Sequence, residues 1–156
     1  MRPRRRRKVE ARAGAPRLLV PFAGAQLDPD VLSAAIRIAR AEGAVVVPAY
    51  LIVVPFEHSM EAPLTAEVEL ALPLLDAVEL EAQRQGVAVD ARLERGRSLR
   101  DALKRLWAVE SFDRILVPVT PDRTGFSERD VAWVLTHAPT ETLALRPASH
   151  APTAPA

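Results

Sequence analysis

The stretch AVVVPAYLIVVP, residues 44–55, decides the fold class of this chain. Apart from its two prolines, Pro48 and Pro55, every residue in it is apolar, and most of the apolar residues are β-branched. A half-exposed strand would alternate apolar and polar residues, so this run indicates a strand buried on both faces, as in the centre of a parallel sheet. Pro48 cannot donate a backbone hydrogen bond, which predicts an irregular start or a bulge at that position.

Strand-like and helix-like segments alternate on both sides of this run. Further strand-like runs cover residues 17–22, 87–94, 114–119 and 141–147, and helical periodicity covers residues 28–43, 65–85, 98–110 and 127–138. The order is therefore β-α-β-α-β-α-β-α-β. This order predicts an α/β fold, a single Rossmann-like domain whose five-stranded parallel sheet carries helices on both faces. Ligands in such sheets bind beyond the carboxyl ends of the strands, where the winding reverses.

The second predicted helix, residues 65–85, contains one irregular feature. Its apolar pattern places Leu72 and Leu75 on the buried face. Pro73 lies between them and lacks the backbone N–H of a helical residue. We therefore predict that Pro73 kinks this helix or divides it.

Charge is distributed unevenly along the chain. Residues 1–17 hold eight Lys/Arg and one Glu, whereas residues 18–156 hold 13 Lys/Arg and 19 Asp/Glu. A mildly acidic body disfavours a general nucleic-acid-binding domain, which usually needs a basic face. We predict a disordered basic tail over residues 1–16, a globular domain over residues 17–147 and a disordered Pro/Ala-rich tail over residues 148–156.

The basic block between Arg2 and Lys8 has several open interpretations. It is suited to nucleic acid or to an anionic membrane surface, where each basic residue contributes about 1 kcal/mol. It is equally a solvated tail, a segment that docks onto the acidic body, or the product of a start codon assigned too early.

Several function classes are disfavoured by what the sequence lacks. The chain has no cysteine, so disulfides and thiolate sites are excluded. No apolar run approaches the ~20 residues of a membrane helix, and the basic opening has no apolar segment of a secretory signal behind it. We therefore expect a cytoplasmic protein. The histidines share no metal-ligand spacing and the serines lie in no nucleophile elbow, so no catalytic residue and no metal site are predicted.

Five short segments, taken in order, resemble the universal stress protein family. They are LLVPFAG (residues 18–24), RLERGRSLRDAL (92–103), FDRILVPV (112–119), RTGFS (123–127) and HAPTETLALRP (137–147). The resemblance covers residues 17–147, and VPFEHSMEAPLTAE with ERGRS is most similar to the subgroup that also occurs as a tail domain of membrane transporters. It implies an adenine nucleotide alpha hydrolase-like fold, often dimeric through the last strands and often ATP-binding.

The same resemblance implies a nucleotide site from which this chain departs. The family's acidic residue after the first strand, which reaches the adenosine, corresponds here to Ala23, and its small hydroxyl residue corresponds to Ala25. The family's G-x-x-G phosphate loop corresponds to DRTG, in which Asp122 replaces the first glycine and the later G-[ST] is missing. Glycines let a backbone approach phosphates closely, so their loss weakens the site. The candidate contacts on the predicted rim are Phe22, Ala23, Gly24, Val54, Pro118, Arg123 and Gly125.

The acidic residues around this loop have two interpretations. Asp122, Glu128 and Asp130 form either a divalent-metal cluster or, as we favour, a turn and a helix cap that the helix dipole stabilises. As a cap they also repel an approaching phosphate.

We therefore predict a non-enzymatic, dimeric signalling or adaptor domain with an eroded ATP loop and no required cofactor. The dimer is expected through the apolar edge strand between Glu141 and Arg146, with a further protein partner of unknown identity. One alternative is an ATP- or AMP-binding stress protein with a modified pocket, in which a slow ATPase activity stays possible. The other alternative is a binding module that uses Arg2 to Lys8.

Overall fold

The computed structural model describes residues 8–120 and 125–148. Its elements in chain order are β1 Arg17–Phe22, α1 Pro29–Glu42, β2 Val45–Val53, α2 Thr65–Arg84, β3 Arg92–Gly96, α3 Leu99–Val109, β4 Arg114–Pro118, α4 Glu128–His137 and β5 Glu141–Leu145. The predicted alternation of strands and helices is thus confirmed.

The five strands form one sheet in the order β3-β2-β1-β4-β5, and every pair in it is parallel. Along β1 the register pairs Phe22 with Tyr50 on one side and Leu19 with Ile115 on the other. The chain winds outward from β1 in one direction to β3 and then in the other direction to β5. The winding therefore reverses between β1 and β4, which fixes where a ligand crevice is expected.

Both faces of the sheet are covered by helices. Alternate residues of a strand point to opposite faces, so Leu18 and Val20 pack with α1 and α2, whereas Leu19 packs with α3 and α4. All three residues are fully buried. Burial on both faces accounts for the continuous apolar runs that the sequence shows in the central strands. The predicted fold class is confirmed.

Pro48 lies inside β2 without disturbing its register. It pairs with Val20 of β1, and the same register holds on both sides of it. On the other side, Val46 N–H donates to Ala88 O at 3.0 Å, so Pro48, two residues later, also faces β3. The pairing there is interrupted between an isolated bridge at Val46 and the start of β3 at Arg92. The missing N–H therefore falls at a gap in the ladder, and the predicted bulge does not form.

Helix α2 departs from the prediction at two positions. It is one continuous helix with Pro73 inside it, so Pro73 does not divide it. Its buried stripe runs through Ala71, Leu75, Val78 and Ala82, and Leu72 is 50% exposed. Leu75, Val78 and Ala82 continue the predicted face, and only at Leu72 does a neighbour, Ala71, take the buried position. The apolar pattern therefore identified the inward face at Leu75 and was wrong at Leu72.

The predicted tails are described only in part. Residues 8–16 carry a turn at which Ala15 N–H donates to Arg12 O at 3.0 Å, and Val45 N–H donates to Pro16 O at 2.8 Å. Residues 1–7 and 149–156, the remaining parts of the two predicted tails, lie outside the described residues. No helix within residues 8–120 and 125–148 is long and apolar enough to cross a membrane.

Candidate ligand site at the carboxyl edge of the sheet

A crevice opens at the point where the winding reverses, between the carboxyl ends of β1 and β4. We call it the switch-point crevice, and its volume is about 270 Å³. Its walls come from the ends of three strands and the start of α1: Phe22, Ala23, Ala25, Gln26, Leu27, Asp28, Pro29, Pro118, Val119, Thr120 and Pro147. The topology thus produces a crevice at the predicted place.

Gly24 shapes the first wall of the crevice. Ala25 N–H donates to Ala23 O at 2.9 Å, which closes a three-residue γ-turn around Gly24 with φ 78°. A positive φ in the centre of a γ-turn is strained for residues that carry a Cβ, so glycine fits this position. Asp28 then begins α1, since its Oδ1 accepts a hydrogen bond from Asp30 N–H at 2.8 Å. The turn and the cap direct the chain from β1 around the rim into α1.

A second hollow, the β2 depression, adjoins the crevice through Ala23. It has a volume of about 330 Å³ and lies between the end of β2, the start of α2 and the start of α3. Its lining comprises Ala23, Gly24, Tyr50, Leu51, Ile52, Val53, Glu67, Leu70 and Leu99. Within the described residues, neither hollow has a Lys or Arg in its walls, and each has one carboxylate, Asp28 or Glu67. Both hollows are therefore apolar to weakly acidic.

The loop after β4 closes on itself beside the crevice. Thr120 N–H donates to Phe126 O at 2.7 Å, and Phe126 is fully buried beneath the loop. A Cβ on Gly125 would lie 2.5 Å from Thr120 Oγ1, closer than real side chains approach. The position that a Cβ of Gly125 would take thus lies against the side chain of Thr120. Residues 121–124, which include Asp122 and Arg123, lie outside the described residues.

Asp130 is held by the start of α4. Its Oδ2 accepts hydrogen bonds from Ser127 N–H at 3.2 Å and from Ser127 Oγ at 3.0 Å, and Ser127 Oγ accepts from Asp130 N–H at 3.2 Å. Arg100 Nε donates to its other oxygen at 3.0 Å. Partial burial alone would raise the pKa of Asp130, but the hydrogen bonds from Ser127 and Arg100 outweigh it and lower that pKa. Asp130 is therefore a capping residue, as we favoured from the sequence.

The metal interpretation of the same residues is described only in part, because Asp122 lies outside the described residues. Glu128 is turned to solvent and lies 3.7 Å from Arg146. Within residues 8–120 and 125–148, no group of three His, Asp or Glu side chains is placed to hold a metal ion.

Two arginines fix the rim loop that follows β2. Arg97 Nη1 donates to Pro55 O at 2.6 Å and to His58 O at 2.8 Å, and its guanidinium lies 5.4 Å from the ring centre of Phe56. Arg95 donates to Met60 O at 3.3 Å and also to Ala62 O. Phe56 itself is 85% exposed. Backbone carbonyls thus occupy both guanidinium groups, which hold the loop and do not face the crevice walls.

The structure distributes the predicted contact residues over different places. Phe22, Ala23 and Pro118 line the switch-point crevice, and Ala23 and Gly24 line the β2 depression. Val54 is buried behind the rim, where its N–H donates to Gly96 O at 2.8 Å. Sequence reasoning missed Thr120, Pro147 and Leu70 as wall residues. Their position at a strand end or a helix start was the available signal.

Comparison with known proteins identifies solved structures that share this fold. No protein-family profile matches the sequence, and no curated protein matches it either. Solved structures do match: a universal stress protein family member from Burkholderia pseudomallei has a TM-score of 0.63 at 22% identity, over 83% of this chain and 94% of that one. The chain has the universal stress protein fold.

Two further universal stress protein structures with this fold were determined with nucleotides. One, in complex with cAMP, has a TM-score of 0.61 at 21% identity, over 83% of this chain and 96% of that one. The other, from Arabidopsis thaliana with AMP bound, has a TM-score of 0.60 at 15% identity, over 88% of this chain and 96% of that one. The resemblance noted in the sequence is therefore confirmed at the level of the fold.

Proposed function

We propose that this chain is a non-enzymatic, dimeric signalling or adaptor domain of the universal stress protein type. The observation that carries the proposal is the composition of the switch-point crevice. Within the described residues its walls carry one carboxylate, Asp28, and no Lys or Arg side chain. A nucleotide's phosphates need positive charge or several free backbone N–H groups. In the neighbouring loop, the side chain of Thr120 fills the space where a Cβ of Gly125 would lie. The protein itself therefore occupies this side of Gly125.

The edge strand β5 supports the dimeric part of the proposal. Leu145 O accepts from Val119 N–H at 2.8 Å, so the backbone of Leu145 faces β4 and that of its neighbour Ala144 faces outward. Ala144 is exposed and Leu143 is 37% exposed. An uncovered apolar edge invites pairing with another strand, and a second copy would satisfy its outward N–H and C=O groups.

Isothermal titration with Mg-ATP and, separately, with AMP tests the adaptor proposal. We expect no saturable heat at micromolar ligand. Micromolar binding of either nucleotide would contradict the proposal and favour the second candidate below. Because the titration uses the full chain, it includes Arg123 and the other residues of the loop after β4.

The second candidate is an adenine-nucleotide-binding protein with a modified pocket. It is favoured by the cAMP and AMP complexes among proteins of the same fold, and by a crevice at the corresponding end of this sheet. On this proposal Gly24 gives close backbone access, Arg123 supplies positive charge, and any hydrolysis is slow.

Filling the crevice tests the second candidate. Ala23 lines both hollows, so Ala23→Leu should abolish any AMP binding that the titration detects. Ala132→Leu, at an exposed position of α4, introduces the same side chain away from the site and should leave AMP binding unchanged. Equal AMP affinity for both variants would remove the crevice from the proposal.

A further inference from the structure

The described part of the basic tail follows a defined path along the amino-terminal edge of the sheet. Residues 9–16 form one wall of a hollow of about 560 Å³, and the end of α1 and residues 86–88 form the other wall. The path ends at α2, where Lys8 Nζ lies 3.9 Å from Glu79 Oε1. Lys8, which directly follows the arginine block of residues 2–7 in the sequence, thus lies beside the outer face of α2.

That outer face carries acids and leucines in alternation. Glu69, Leu72, Asp76 and Leu80 lie at helical spacing on one exposed stripe, which we call the α2 stripe. Leu72 is 50% exposed and Leu80 is 64% exposed. Within the described residues, Glu69 and Asp76 form no ion pair and no hydrogen bond through their side chains.

The stripe is chemically matched to arginine. An arginine places its guanidinium on a carboxylate while its aliphatic stem covers neighbouring apolar surface. Acids alternating with exposed leucines offer both kinds of contact. A second copy of α2 is a poor occupant, because it would set carboxylates against carboxylates.

We propose that the arginine block, residues 2–7, docks in cis on the α2 stripe of its own chain. The reach is sufficient, because six extended residues span about 20 Å. Glu69 lies only about 15 Å along the helix axis from Glu79, where Lys8 is already placed. Attachment through Lys8 also keeps the block at a high local concentration over the stripe. The block is therefore held on its own acidic helix at low ionic strength and is released as salt rises.

A spin label on the block tests this contact directly. The chain contains no cysteine, so Pro3→Cys gives a single labelling site in the full-length protein. Amide NMR signals of residues 69–80 should broaden, whereas those of α4, on the other face of the sheet, should not. We expect the broadening on α2 to fall about threefold or more between about 50 mM and 500 mM NaCl, because salt screens the pairing. Absence of selective broadening on α2 would overturn the proposal.

Two charge variants sharpen the test. Glu69→Gln with Asp76→Asn removes the acids of the stripe and should reduce the broadening to the high-salt value. Glu57→Gln with Glu128→Gln removes the same number of exposed acids elsewhere and should leave the broadening unchanged. Equal effects of both variants would reduce the contact to a general charge effect and contradict the proposal.

Experiments on mixed samples distinguish docking in cis from binding to a second copy, to an anionic membrane or to DNA. Spin-labelled chain without isotope is mixed with isotope-labelled chain without the spin label, and no broadening is expected. Broadening in that mixture would assign the contact to a second copy and overturn docking in cis. Vesicles of anionic lipid or a short DNA duplex should compete with the stripe for the arginine block. Either probe should therefore reduce the broadening on α2 in the protein with the wild-type stripe, and not in the variant that lacks Glu69 and Asp76. Binding of either probe that leaves the broadening unchanged would show that the stripe does not hold the block.

Discussion

Thr120 occupies the space that any side chain at Gly125 would need. A Cβ on Gly125 would lie 2.5 Å from Thr120 Oγ1 and 2.8 Å from Thr120 Cβ. The backbones around this contact are joined by the hydrogen bond from Thr120 N–H to Phe126 O at 2.7 Å. Gly125 therefore has a reason in internal packing that is independent of any ligand.

Gly125→Ala should destabilise the protein by about 1–3 kcal/mol, because the added methyl group overpacks the loop. Urea denaturation measures the loss in free energy of unfolding. Thr120→Gly with Gly125→Ala removes the three atoms nearest to the added methyl group, so the double variant should lose less than the two single losses combined. Strictly additive losses would show that the two residues do not compete for the same space.

Gly96→Ala should cost more than a glycine substitution in open space. A Cβ on Gly96 would lie 2.3 Å from Ala102 N and 2.6 Å from Ala102 Cα, which are backbone atoms of α3. We expect a loss of about 3 kcal/mol, at the upper end for overpacking, because α3 must move off the sheet. Gly86, with φ 77° and no atom within 4 Å of its Cβ position, is the matched control. Gly86→Ala should cost only about 1–2 kcal/mol from backbone strain. An equal thermal shift for both variants would contradict the packing argument.

The fold was predictable because burial on both faces leaves a clear pattern. The run of residues 44–55 has no polar member, and alternating helical segments leave a parallel sheet as the simple solution. The inward face of α2 was less predictable. There Ala71 is buried and Leu72 is exposed, and a small residue against the sheet gives a weaker hydrophobic signal than a leucine beside it.

The candidate site was predictable in position but only partly in composition. Topology places a crevice after β1 and β4, and the predicted contact residues Ala23 and Pro118 lie in its walls. Pro147 entered the wall because β5 ends beside β4, a spatial neighbour that is distant in sequence from β1. Val54 was assigned to the rim by its place after β2, but its N–H faces Gly96 and its side chain is buried. The position of a residue in the sequence predicts at which edge of the sheet it lies. The direction in which the residue faces depends on how the strands pair.

Asp130 should contribute stability that depends on pH. Its pKa is lowered in the folded state, so the unfolded chain takes up the proton first as the pH falls. The contribution is fully present above the ordinary aspartate pKa of about 4 and is lost as the pH falls through the lower folded value. Asp130→Asn should therefore reduce the free energy of unfolding by about 1 kcal/mol at neutral pH, as expected for a lost cap.

Urea denaturation at neutral pH and at about pH 3 checks this prediction, since the Asp130 carboxylate of the unfolded chain takes up its proton between these pH values. The difference between wild type and Asp130→Asn should narrow at the lower pH. Glu57→Gln, at an exposed position of the loop after β2, is the control and should change little at either pH. A loss for Asp130→Asn that is the same at both pH values would assign the effect to packing and not to the charge.

The edge of β5 provides a direct test of the proposed dimer. Ala144 faces away from β4, so Ala144→Pro removes an outward N–H without breaking a hydrogen bond inside the sheet. Multi-angle light scattering should find a dimer for wild type at high concentration and a monomer for Ala144→Pro. Circular dichroism should show that the variant keeps its helices and strands.

Leu93→Pro makes the corresponding change on the opposite edge strand, because Gly96 O faces β2 and Leu93, three residues earlier, faces outward. If Leu93→Pro keeps the dimer and Ala144→Pro loses it, pairing runs through β5. A wild-type protein that is monomeric at high concentration would contradict the dimer itself.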